Sequence, residues 1–164
     1  MATIGFIGLG IMGAHMARNL IKGGHKLVVN GKYPVPDDIR AQTQVVADST
    51  AVAQESEIVI TMVPDTPDVA NVLFADDGVA KGLTKGKLVI DMSSIAPLDT
   101  QEFAKKINAL GCDYLDAPVS GGLQMSSHRA PHDAEADESD LAHRFVPSRC
   151  PSLMGPPLTI RGTA

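Results

Sequence analysis

The chain contains no tryptophan, and its two tyrosines and four phenylalanines make up only 4% of 164 residues. An aromatic clamp is therefore not expected. Two cysteines, Cys112 and Cys150, are too few for a disulfide framework, so a reducing, cytoplasmic compartment is the default expectation. Excess positive charge is missing as well. The net charge of -5 gives no support for a nucleic-acid partner. No apolar run approaches the roughly 20 residues of a membrane span, and the chain enters a strand at once, so neither a membrane nor a cleaved leader is expected. No lysine follows Lys106. What is present, 44% hydrophobic and 20% charged residues, fits one globular domain.

The most informative segment is Gly8-Leu9-Gly10-Ile11-Met12-Gly13. It leaves an apolar stretch, Thr3–Ile7, and enters a helical one, Ala14 to Ile21. A GxGxxG run in that strand-to-helix setting is a dinucleotide-binding signal. Gly8 permits the tight turn, Gly10 lets the backbone approach a pyrophosphate, and Gly13 lets helix and strand pack closely. The pyrophosphate would rest on free N–H groups at the helix N-terminus.

Further strands are predicted at Lys26–Val29, Gln44–Val46, Glu57–Met62, Lys87–Asp91 and Asp113–Leu115, mostly apolar throughout, as in a parallel sheet covered on both faces. Between them, Met12, Met16, Ala17, Leu20 and Ile21 form one apolar helical face, closed by Gly23-Gly24. Thr66-Pro67-Asp68 reads as a cap, a first-turn proline and a first-turn acid before Val69–Phe74. Pro97 opens a last helix, with Phe103, Ile107 and Leu110 on one side and Gly111 at its end. The alternation predicts an α/β fold, a doubly wound Rossmann-type parallel sheet over residues 1–122.

NAD-binding domains usually place an acid about 20 residues beyond the glycines, on the ribose hydroxyls. Here that place reads Asn30-Gly31-Lys32, with no acid until Asp37. Lys32 is available to a 2′-phosphate, so the expectation leans to NADP over NAD. An ordinary turn at these three residues is the competing reading.

Four stretches together resemble the 3-hydroxyisobutyrate dehydrogenase family of β-hydroxyacid dehydrogenases: Ile4–Gly13, Ile60–Pro67, Asp91–Pro97 and Tyr114–Gly122. The resemblance covers residues 1 to 122. It implies hydride transfer between a nicotinamide cofactor and a small β-hydroxyacid or its semialdehyde. It further implies that Gly8, Leu9, Gly10, Ile11, Met12 and Gly13 hold the pyrophosphate and that Met62, Val63 and Pro64 line the cofactor cleft. Ser94 would contact the nicotinamide ribose, and Ser120, Gly121 and Gly122 the substrate carboxylate. Position 31, often acidic in relatives, is glycine here. A helix cap before Pro97 is the plainer role for Ser94, and an ordinary turn the plainer one for Ser120-Gly121-Gly122.

Beyond Gly122 the resemblance stops. Relatives continue into a helix bearing a catalytic lysine in a GxxGxGxxxKxxxN-like run and then into a helical domain. Lys22, Lys81, Lys85, Lys105 and Lys106 read as solvated charges, so no catalytic residue is assigned. Residues 123–164 carry three of the five histidines, five of the eleven prolines and the acidic patch Asp133 to Asp140. Disorder or poor packing is expected there. The spacing of His128, His132, His143 and Cys150 fits no familiar zinc site, and no metal is expected. A frameshift or recombination after Gly122, leaving a truncated and inactive reductase fragment, is the favoured explanation. A natural short nucleotide-binding module, a sensor or partner protein, is the alternative. Either leaves apolar surface uncovered, with self-association expected.

Overall fold

The computed structural model describes residues 1–119. Six strands, β1 (Thr3–Ile7), β2 (Lys26–Asn30), β3 (Gln44–Val46), β4 (Ile58–Thr61), β5 (Leu88–Asp91) and β6 (Asp113–Asp116), form one sheet in the order β3-β2-β1-β4-β5-β6. Every neighbouring pair is parallel. The chain works outward from β1 to β3 and then returns to place β4 on the other side of β1. The strand order therefore reverses between β1 and β4, and ligands of such sheets bind in the crevice beyond the carboxyl ends at that point.

Alternation along each strand sends side chains to two separate cores. Ile4, Phe6, Leu27, Val29 and Ile60 pack with Ala14 and Ala17 of α1 (Ile11–Lys22) and Ile39 of α2 (Asp37–Arg40). Ile7, Val28, Val59 and Val89 pack on the opposite face. There they meet α3 (Ser49–Glu55), α4 (Thr66–Phe74), α5 (Val79–Gly82) and α6 (Pro97–Ala109). Each fully buried Val, Leu, Ile or Phe contributes about 1.5–3 kcal/mol relative to exposure. Two-sided covering is why these strands are apolar at nearly every position.

The helix ends correct several sequence expectations. Helix α1 starts at Ile11 rather than Ala14, directly after Gly10. Its far end is as expected: Gly24 has φ +81°, its N–H donates to the Ile21 carbonyl, and the His25 N–H reaches Leu20. These are the paired bonds of a Schellman end. Helix α4 is capped by Asp65, whose carboxylate accepts from the Thr66 N–H at 2.7 Å. Thr66 is thus the first helical residue, and its hydroxyl accepts instead from the Ala96 N–H. In α6, Phe103 and Ile107 are buried but Leu110 lies 43% exposed at the C-cap. Lys106 is not simply solvated, for its ammonium stands 5.1 Å from the centre of the Phe74 ring. The residues beyond 119, including Ser120, Gly121, Gly122 and the histidines and Cys150 of 123–164, lie outside the described part.

Candidate nucleotide site

The glycine run is built against the exit of β4. A Cβ on Gly8, where φ is +102°, would stand 2.0 Å from the Met62 carbonyl oxygen. A Cβ on Gly13 would stand 1.8 Å from the Gly8 carbonyl oxygen. Both positions are closed to any side chain by neighbouring backbone. Gly10 is the opposite case: its Cβ would meet nothing within 4 Å. It points into open space, so its glycine is not required by the fold itself.

That open space is a cleft of about 660 Å³, within the usual range for ligand sites. Its floor is Gly8, Leu9, Gly10, Ile11, Met12 and Gly13; Met62, Val63 and Pro64 form one wall. The first turn of α1 faces it with no acidic residue and no side-chain cap at Gly10. The amides of that turn have no intrahelical acceptor by construction, and they add to the positive end of the helix dipole. Donors, dipole and a first turn of α1 free of carboxylates together suit a diphosphate.

Six lining residues were missed from the sequence: Ile7 at the end of β1, Tyr33 and Pro34 after β2, and Asp68, Asn71 and Val72 on α4. The last three stand at i, i+3 and i+4, one helical face that begins just past the β4 exit. That spacing was the available signal. No lysine lines the cleft among the described residues.

Asn30, Gly31, Lys32 and Ser94 do not line it. Asn30 is buried and committed to the scaffold. Its amide donates to Ser49 Oγ at 3.0 Å, and its carbonyl oxygen accepts the Lys32 N–H at 2.8 Å. A Cβ on Gly31 would come within 2.8 Å of Val45 Cγ1, leaving little room for the acid often found in relatives. Lys32 is paired with Asp77 at 2.5 Å. The pair raises the lysine and holds the Asp77 carboxyl below its ordinary range, chiefly through the shared hydrogen bond. Ser94 is exposed and does not cap α6, whose N-cap is Ala96. Its neighbour Ser93 is the buried one.

Beneath the β4 and β5 exits lies Asp91, fully buried. Its oxygens accept from the Thr61 hydroxyl at 2.9 Å, the Ser93 N–H at 3.0 Å and the Tyr114 hydroxyl at 3.0 Å. Burial, and then Asp91, push the Tyr114 hydroxyl well above the usual tyrosine range. Among the described residues no cluster of His, Cys, Asp or Glu is placed to hold a metal, and no helix is long and apolar enough to cross a membrane.

A parallel sheet whose glycine loop lodges at the point of strand reversal, above a cleft of this size, defines a dinucleotide-binding Rossmann domain. Residues 3–130 match the NAD binding domain of 6-phosphogluconate dehydrogenase, and the chain belongs to that family. Within it the likeness is to β-hydroxyacid dehydrogenases. The chain is 52% identical over 120 residues to 2-hydroxy-3-oxopropionate reductase of Escherichia coli (strain K12), covering 73% of this chain and 41% of that protein. The 3-hydroxyisobutyrate dehydrogenase of Mycobacterium tuberculosis, solved with L-serine, superposes with a TM-score of 0.65 at 35% identity, over 74% of this chain and 42% of that one. Psf3, solved in complex with NADP+ and 2-OPP, gives 0.67 at 30% identity, over 73% and 43%. The chain thus spans about two fifths of the length of these relatives.

Proposed function

We propose that this chain binds NAD(P)(H) along the cleft, with the pyrophosphate on the Gly8–Gly13 loop, and forms the cofactor half of a β-hydroxyacid reductase. The observation that carries this is Gly10: its missing side chain leaves room that the protein does not use, at the end of a helix with free donors. The nicotinamide ring supplies the hydride, and the chain's own residues bind and orient. Lys32, released from Asp77, is the group for a 2′-phosphate, which gives the reading its lean toward NADP. Ser94 serves the second ribose. Ser120, Gly121 and Gly122, following β6 in sequence, serve the substrate carboxylate. The resemblance to 2-hydroxy-3-oxopropionate reductase makes tartronate semialdehyde the substrate of choice.

Turnover by this polypeptide alone is not expected. A positioned acid/base group is worth about a hundred- to ten-thousand-fold in rate, and the cleft offers no lysine to act as one among the described residues. That same observation favours a second reading, a nucleotide-binding module without catalysis. Calorimetric titration of the full chain with NADPH and NADH tests both readings; failure to bind either would overturn them. An NADPH-oxidation assay with tartronate semialdehyde then tests activity. Robust turnover would refute the inactive-fragment and non-catalytic readings alike.

A further inference from the structure

Two neighbouring loops lie past the ends of their strands beyond the glycine run, and the first of them walls the cleft. One follows β4 and carries Val63 and Pro64; the other follows β5 and carries Ser94. Ladder hydrogen bonds hold only the first residue of each, Met62 to Ile7 and Met92 to Thr61. Past those residues the two loops are tied to each other. The Val63 N–H donates to Ser93 Oγ at 3.0 Å, and the Ser93 N–H donates in turn to Asp91 Oδ1 at 3.0 Å. Thr61 at the end of β4 reaches the same oxygen, and Tyr114 of β6 reaches Oδ2. One buried carboxyl thus gathers donors from the ends of β4 and β5 and from β6.

A carboxyl group in this setting needs a reason. The ion pairs among the described residues are Arg18–Asp38 and Lys32–Asp77, so no cation offsets Asp91. Burying a carboxyl is costly unless hydrogen bonds replace water, and an apolar residue would fill a strand end at less expense. Two of the three donors to its side chain, the Thr61 hydroxyl and the Ser93 N–H, come from residues at the carboxyl edge of the sheet, where a ligand binds, and its own backbone carbonyl there accepts the Ala117 N–H.

We infer that Asp91 is a positioning residue. Through Ser93 it holds the Val63 and Ser94 loops in the register that receives the part of the dinucleotide beyond the pyrophosphate. This rests on the nucleotide-binding role proposed above. A dinucleotide crossing the β1/β4 reversal puts its adenosine toward β2, and its other half over the ends of β4 and β5. Asp91 acts chiefly on that second half, because neither the glycine loop nor the β2 exit donates a hydrogen bond to it.

The test compares whole cofactors with truncated ones that end at the pyrophosphate by calorimetry, NADH against ADP and NADPH against 2′-phospho-ADP. Ser93→Ala removes the acceptor of the Val63 N–H and leaves Asp91 in place. It is expected to weaken NADH and NADPH by about tenfold. The truncated ligands should hold to within about twofold, as for distant uncoupled sites. Asp91→Ala should do the same more strongly, and Asp91→Asn, which keeps an acceptor oxygen, should recover most of the loss. If Asp91→Ala does not fold, Ser93→Ala carries the test alone. Equal weakening of whole and truncated ligands, or weakening of neither, overturns the inference. Wild-type chain that binds no ADP, 2′-phospho-ADP or dinucleotide overturns the nucleotide reading itself and the positioning role with it.

Discussion

Gly10→Ala separates what the fold requires from what a ligand requires. The new Cβ meets no protein atom within 4 Å, and φ -68°, ψ -164° is open to alanine. Two small stability effects oppose each other. Alanine at an N-cap costs up to about 1 kcal/mol. Stiffening the unfolded chain returns about 0.4–1 kcal/mol. The denaturation midpoint should therefore stay close to wild type. Binding should not. The methyl group enters the space assigned to the diphosphate and lifts it from the first-turn amides. Hydrogen bonds to a charged group are worth about 1.5–3 kcal/mol, so losing one weakens the nucleotide roughly ten- to a hundredfold. Gly13→Ala is the contrasting variant. Its Cβ would lie 1.8 Å from the Gly8 carbonyl oxygen, so α1 must shift and stability must fall. Urea denaturation and NADPH calorimetry on both proteins read the two effects separately. If Gly10→Ala binds NADPH as tightly as wild type, the pyrophosphate does not lie on this loop.

Further outcomes are expected from groups around the site. Asp77→Asn frees Lys32 and should tighten NADPH by up to about fivefold, the scale of an exposed pair, with NADH unchanged in parallel titrations. The folded Tyr114 hydroxyl ionises only well above its unfolded value near 10. Its contribution is complete below that pH and is lost as the pH rises further, so alkaline unfolding should be less steep in Tyr114→Phe, measured by circular dichroism between pH 9 and pH 12. Phe103 is 4% exposed and packs 5.5 Å from the Phe74 ring centre. Phe103→Ala should cost about 3–5 kcal/mol in chemical denaturation.

Much of this architecture was legible because a doubly covered parallel sheet writes itself as short apolar runs. All six strands were located to within a residue or so at each end. The glycine loop was legible for the same local reason, since backbone crowding at Gly8 and Gly13 admits nothing else. Helix α3 was not, although Asp48 caps it by accepting the Ala51 N–H. Its sequence, Ser49–Glu55, is short and alternates small residues, so no apolar stripe announces it. The four-residue helices α2 and α5 carry even less periodicity. Adjacent serines posed another difficulty: nothing local distinguishes the exposed Ser94 from Ser93, which three-dimensional neighbours bury. Likewise Lys32 meets Asp77, 45 positions away in sequence, only after β2 and the α4–α5 turn come together.

The strand order also has a consequence in time. β1 is made first yet ends in the middle of the sheet, between β2 and β4. During synthesis its β2 side can close early, but its other edge must wait for β4, with Ile4 pairing to Ile58. Until then Ile4, Phe6 and Ile7 border a row of unpaired amides and carbonyls, a template for joining another chain. Parallel pairing over such separations is slow because loop closure precedes its reward. The ribosome-bound chain is therefore most vulnerable to misassociation between the emergence of β2 and that of β4.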